Sequence, residues 1–253
     1  MTFATLPEPA LDGYTGEQVR FAASAWPMRA AEELRSALIF RALARASRLT
    51  ALEPSWTERF RAASRDEVSH ATLCAAIGVR LGAPSPTYDR SPVRVRLSAL
   101  ADSIQRTAAL LLVEVAVGET VSTSLFSAGL GGAIEPLTRA GLTTILRDEV
   151  GHSQLGWSGV AALWPSLTDG ERSDALSELK RAFVAFEQHN ALPALRRLEA
   201  REPFDPVHAA LGVLSPAVRV EAFYSAIEGQ VIPRLARLGI DGESVWERRY
   251  RAS

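Results

Sequence analysis

Two of the four histidines in this 253-residue chain lie in nearly the same hexapeptide. Residues 65–70 read RDEVSH and residues 147–152 read RDEVGH. Each holds a Glu-x-x-His unit, Glu67 with His70 and Glu149 with His152. On a helix, positions i and i+3 share a face, so each unit can aim a carboxylate and an imidazole at one metal ion. A single such unit would read as a solvated surface pair. Here the same faces are apolar, because Leu73 and Ile77 follow His70 while Ile145 and Leu155 bracket the second unit. Carboxylates buried on such faces need partners, which metal ions supply.

A dinuclear site in a helical bundle takes one further carboxylate from each of two more helices. Glu32 and Glu33 are the candidates upstream of the first motif, Glu114 and Glu119 upstream of the second. In an antiparallel hairpin, residues at equal height are equidistant from the turn. The midpoint of Glu33 and Glu67 is Thr50 and that of Glu119 and Glu149 is Ile134, each inside a predicted interhelix turn. The chain therefore reads as two similar hairpins, each carrying Glu and then Glu-x-x-His, with Glu32 and Glu114 as fallback ligands.

The elements that must hold these residues are helical, with no period-2 strand segment. Pro27 is expected in the first turn of a helix whose Leu34, Leu38, Ile39, Leu43 and Leu49 recur at helical spacing. A second helix is expected from Ser55, with Glu58 completing a capping box, to about Leu81. Gly82–Pro92 (GAPSPTYDRSP) is breaker-rich and, at ~3.3 Å per residue, reaches about 36 Å, enough for a long crossover between helices two and three. The third helix, longer than the others, is expected to bend or be interrupted; it runs to about Ser127, with Gly129–Gly132 stopping it. Pro136 opens a fourth that reaches Trp164. This gives an N-terminal arm or short helix over residues 1–26, a four-helix bundle over 27–165 and a helical extension over 166–253. In the extension one helix is expected from about Thr168 to Asn190, and another from Ser215-Pro216 that Pro233 kinks. The extension covers the bundle, forms a homodimer surface or roofs a substrate pocket.

Composition narrows the function. Hydrophobic residues make up 47% and charged residues 23%, the balance of a chain with a real core. The formal net charge of -1 provides no field for a nucleic-acid backbone. Lys180 is the only lysine, and the arginines are spread along the chain. Cys74, the only cysteine, excludes an intrachain disulfide and reads as a small buried side chain. No signal-peptide pattern opens the sequence, and the longest apolar run, Ala108–Val113, falls far short of the ~20 residues a membrane span needs. The expectation is a cytoplasmic protein without membrane or nucleic-acid partners. His189 and His208 lie outside the bundle and are expected at the surface rather than as ligands.

With these motifs in place, AEELRSALIF, RDEVSHATLC, VGETVSTSLF and RDEVGHSQLGW resemble the ferritin-like di-iron carboxylate superfamily, nearest to bacterial ferritin-like domain proteins of unassigned function. The resemblance spans roughly Arg29 to Trp164. It implies an all-α, ferritin-like four-helix bundle with metal ligands Glu33, Glu67, His70, Glu119, Glu149 and His152, and the VGET match favours Glu119 over Glu114. It also implies that Asp66 orients His152 and Asp148 orients His70; otherwise both are helix-surface residues. Thr123 matches a threonine beside the oxygen-binding side in di-iron monooxygenases, or else it fills helix packing. Such hard ligands suit two Fe ions, with Mn as the alternative. The implied activity is a non-haem di-iron oxidase or oxygenase that uses O2 to hydroxylate, desaturate or N-oxygenate a small organic substrate, with a reductase as electron donor. The alternatives are a ferroxidase or peroxide-detoxifying ferritin-like protein, a di-manganese catalase, and a metal-binding structural protein without turnover.

Overall fold

The computed structural model describes residues 6–85 and 104–251. Four long helices come first: α1, Gly16–Ala46; α2, Ser55–Arg80; α3, Ile104–Gly132; and α4, Pro136–Leu163. The C-terminal part adds α5 (Asp169–Asn190), α6 (Leu192–Glu199), α7 (Val207–Ala210), α8 (Pro216–Ala226, Ile227–Val231 and Ile232–Arg237 in continuation) and α9 (Gly242–Glu247). Among the described residues there is no strand. Beyond Ser85, the crossover expected at Gly82–Pro92 lies outside the described residues.

Local chemistry sets most helix ends. Thr15 and Gln18 form a reciprocal capping box, so α1 begins well before Pro27, and residues 16–26 are helical rather than an arm. Pro27 sits inside α1. Its missing N–H weakens the ladder there, but Trp26 and Ala30 on either side are fully buried and hold the helix against the core. At α2 the expected capping box is absent: Ser55 is already helical and Glu58 instead pairs with Arg61 at 2.5 Å. Glu135 caps α4 by accepting from the Leu137 and Thr138 N–H groups, with Pro136 in the first turn. Thr168 and Glu171 cap α5 reciprocally, and Ser215 caps α8.

The third helix is interrupted by widening rather than by a break. Residues Leu111–Gly118 form a π-helical stretch that ends immediately before Glu119, and the helix then continues to Gly132 rather than stopping near Ser127. A second wide stretch, Ile227–Val231, precedes Pro233 in α8. Because Pro233 has no N–H to offer, the α pattern cannot run through it unchanged.

α1 packs along α2 and α3 along α4, while α2 also meets α4. One apolar cluster contains Phe40, Leu43, Phe60, Leu111 and Leu112; another contains Trp26, Cys74, Ile77, Leu142 and Ile145. On α1 the change from one cluster to the other falls between Ala30 and Ile39, on α2 between Ala63 and Leu73, and on α4 between Ile145 and Leu155. All three intervals bracket the motif residues. α3 is long and apolar enough to cross a membrane by length and composition, although Glu114 and Glu119 break its apolar run. Its most apolar window is 61% buried within the protein, so that face serves the protein's own core.

α4 approaches α3 so closely that a Cβ on Gly156 would lie 2.6 Å from the Ala116 backbone nitrogen. The residue facing the wide stretch of α3 must therefore be glycine. In the extension, Ala175, Leu179 and Phe183 of α5 are fully buried against the same core. The chain end is tied back by Glu187, which is buried and accepts from Arg249 (2.8 and 2.9 Å), Tyr224 (2.7 Å) and Tyr250 (2.6 Å).

Replacing Gly156 with Ala should force α3 and α4 apart and destabilise the protein by about 1–3 kcal/mol, measurable by urea unfolding. Burial opposes the charge on Glu187, but Arg249, Tyr250 and Tyr224 outweigh it and hold the carboxyl at about 2, below its ordinary 4.5. A depressed carboxyl contributes stability that is present above pH 4.5 and fades as pH falls towards 2. That contribution is on the order of 3 kcal/mol. Glu187→Gln should therefore unfold at lower temperature near pH 6, with the gap from the parent closing as pH falls towards 2.

Candidate metal centre

The two Glu-x-x-His units sit in the middle of α2 and α4, on faces that meet at the bundle centre. Glu67 is 0% exposed, Glu149 1%, His70 2% and His152 4%. Each motif glutamate divides its oxygens between the two rings. Glu67 Oε1 lies 2.9 Å from His152 Nδ1 and its Oε2 lies 3.6 Å from His70 Nδ1. Glu149 Oε1 lies 3.0 Å from His70 Nδ1 and its Oε2 lies 3.5 Å from His152 Nδ1. The rings themselves are 5.9 Å apart. A carboxylate whose two oxygens face two separate imidazoles is placed to bridge two cations.

α1 and α3 supply the remaining carboxylates. Glu33 is buried, with Oε2 3.5 Å from His70 Nδ1, and one ligand atom each from Glu33, Glu67, His70 and Glu149 lies within 4.8 Å of all the others. Glu119 is buried next to Glu149, at the point where the wide stretch of α3 returns to α-helix. The neighbouring candidates point elsewhere. Glu32 is exposed and 3.0 Å from His189, and Glu114 forms a 2.5 Å ion pair with Arg35.

Both carboxylate oxygens of Glu67 and Glu149, and Nδ1 of both histidines, are buried without a hydrogen-bond partner. They are close to one another but not aligned as donor and acceptor. In an apolar interior such groups are unfavourable unless something else satisfies them. Two cations between the motifs would do so, and an all-oxygen and imidazole donor set with no sulfur fits iron or manganese. These residues therefore fit a pair of metal ions.

The proton distribution reflects the same crowding. Burial pushes the Glu33 and Glu119 carboxyls well above the usual range, with the charges of Glu149 and Glu67 adding to it. Burial also opposes ionisation of Glu149, but His152 and His70 reverse that and hold it at about 2. His152 is pushed up to about 10 because Glu149 and Glu67 outweigh the effect of burial, and His70 is raised further in the same direction by Glu149, Glu33 and Glu67.

The outer ring nitrogens face the other motif's aspartate. His70 Nε2 lies 3.3 Å from Asp148 Oδ2, and His152 Nε2 lies 3.5 Å from Asp66 Oδ2. Thr123 uses its hydroxyl on the backbone, donating to the Glu119 carbonyl (2.6 Å) with the Glu149 carbonyl at 3.4 Å. It bridges α3 and α4 directly behind two of the carboxylates. His208 stacks on Phe21 with ring centroids 4.2 Å apart, and Cys74 is fully buried.

One polar group adjoining the site has no local sequence signal. Arg234 of α8 donates to the Thr120 and Ser153 hydroxyls (3.3 Å each), to which Trp157 Nε1 is also joined through Thr120 (2.9 Å). Thr120 follows Glu119 and Ser153 follows His152, so the extension braces the bundle one residue from the cluster. Phe40, fully buried on α1, packs its ring 5.3 Å from that of His152.

No protein-family model and no curated protein matches the sequence. Among solved structures, the fold is similar to "Protein 19 with aldehyde deformylating oxidase activity from Synechococcus", with a TM-score of 0.60 and 17% identity over 91% of this chain and 97% of that one. The chain has the ferritin-like fold, and a buried Glu/His cluster lies at its centre.

Asp148→Ala leaves every nitrogen and carboxylate of the cluster in place but frees the outer nitrogen of His70. Helicity should stay normal, while affinity for ferrous iron should fall ~10–100-fold, as read by competition with a chelator. Unchanged affinity would make Asp148 a surface residue only.

Proposed function

We propose that this protein is a di-iron oxidoreductase that activates O2 to oxidise a small organic molecule. The observation that supports this reading is the division of the Glu67 and Glu149 oxygens between the two imidazoles, so that each carboxylate would serve two cations. Glu33 and His70 would complete one position, Glu119 and His152 the other. Four carboxylates and two imidazoles would hold two ions and would leave room for exogenous molecules to bind them. A ferrous pair held there supplies two electrons for the reduction of O2.

The chain's own residues do the rest. Asp148 fixes the outer nitrogen of His70 as an N–H donor, leaving its Nδ1 free on the inside, while Asp66 stands 3.5 Å from His152 Nε2 without a hydrogen bond to it. The apolar clusters on either side exclude water from the reacting centre. Thr123 donates to the Glu119 carbonyl of its own helix and lies 3.4 Å from the Glu149 carbonyl, where α3 and α4 meet. A small organic substrate is supported by the likeness to the aldehyde-deformylating oxidase; the aldehyde itself is that protein's substrate. The helical extension braced against α3 and α4 through Arg234 is a further support, since storage of iron needs nothing beyond the bundle.

Anaerobic loading with ferrous salt should give about two irons per chain by elemental analysis, and exposure to O2 should then give a transient visible absorption that decays faster when substrate is present. Iron near zero after careful loading would refute the dinuclear site. Steady growth of ferric absorption to many irons per chain would instead identify an iron-storage protein.

A further inference from the structure

On the outer side of the α1–α2 hairpin lies an open cleft of about 450 Å³ lined by Arg41, Ala44, Arg45, Arg61, Ser64 and Arg65. The four arginines are exposed. Arg61 is paired with Glu58, whereas Arg41, Arg45 and Arg65 have no acidic partner among the described residues. Residues 41–65 hold six arginines against two glutamates in a chain whose net charge is -1. The hairpin turn between them exposes Leu49, at 66% of its surface. Like-charged side chains gathered without counter-charges repel one another, and an acidic surface relieves that repulsion while steering its own approach.

The two helices that line the cleft also carry Glu33, Glu67 and His70 of the buried cluster. Ser64, in its floor, donates to the Ala37 carbonyl at 2.9 Å, one turn along α1 from Glu33. Arg65 immediately precedes Asp66, whose carboxylate faces His152 at 3.5 Å. Arg41 immediately follows Phe40, whose ring lies 5.3 Å from His152. Phe40 and Asp66, each one residue from a cleft arginine, thus both flank His152 of the cluster.

We infer that this cleft docks an acidic one-electron-transfer protein, which delivers the electrons that the proposed O2 chemistry consumes. The inference rests on the di-iron reading. A site that gives two electrons to O2 must recover two before it can react again. In each encounter the donor is oxidised by one electron and the site reduced by one, with no bond made or broken. Exposed arginines beside an apolar residue suit a protein surface; a small anion is better held by buried, converging donors.

An acidic [2Fe–2S] ferredoxin serves as the probe, with binding read by fluorescence anisotropy on metal-free and iron-loaded protein. The parent should bind it, and affinity should fall at least about tenfold between low and physiological salt. The triple variant Arg41→Glu/Arg45→Glu/Arg65→Glu should lose at least about tenfold more, while a matched reversal of Arg196, Arg201 and Arg237, exposed on the extension, should not. Helicity and ferrous-iron stoichiometry of the triple variant should equal those of the parent. Absence of binding, binding without salt dependence, or an equal loss in both variants would overturn the docking surface. So would saturable binding of inorganic pyrophosphate at the cleft that ferredoxin cannot displace, since that would mark a small-anion site. Ferredoxin docking on a chain that fails to take up iron would overturn the di-iron reading instead.

Discussion

Four carboxylates and two imidazoles are buried at the centre of an otherwise apolar bundle, with too few hydrogen bonds among them. An isolated charge in such a place is unfavourable by several kcal/mol even after relaxation. Without cations the cluster shares protons: Glu33 and Glu119 are pushed towards the neutral acid, while Glu149 stays ionised against two raised imidazoles. Cations would replace those protons and satisfy the lone pairs that face inward, so metal binding and folding draw on the same free energy. The apolar clusters on either side supply the stability that permits such a centre to be built.

Holding the carboxylates at the right height depends on how closely α3 and α4 can meet. Gly156 admits the Ala116 backbone, and the wide turns of α3 end where Glu119 begins. A π-helical stretch changes the angular position of everything after it, which turns Glu119 towards Glu149 while Glu114 pairs with Arg35. Thr123, bonded to the Glu119 carbonyl, sits in the seam within 3.4 Å of the Glu149 carbonyl. The spacing of the site is thus built into backbone contacts rather than into the ligands alone.

The C-terminal helices serve this arrangement from outside. Phe183 and Phe223 extend the bundle core, and Glu187 fixes the chain end through Arg249, Tyr224 and Tyr250. Arg234 reaches hydroxyls next to Glu119 and His152, so the extension and the cluster are mechanically joined. α1 also meets the extension, through Phe21 with His208 and Glu32 with His189, while its outer face with α2 carries the arginine cleft.

Much of this was legible from residue spacing. The all-helical class follows from the apolar period, and two copies of Glu-x-x-His can be found without coordinates because i and i+3 share a helix face whatever surrounds them. The hairpin symmetry that selected Glu33 and Glu119 depends only on counting from the turns. The Thr15–Gln18 box was equally visible in TGEQ but was outweighed by Pro27, because a proline's preference for the first turn is a tendency that burial of Trp26 and Ala30 overrides. Ser55 and Glu58 showed the reverse: a capping pattern in the sequence that the chain does not use. What tertiary structure alone decided was the division of each motif carboxylate between two rings, the wide stretch in α3, the reach of Arg234 from α8 and the gathering of arginines from two helices into one cleft. Each of these joins residues that are distant in the chain, and only packing brings such residues together.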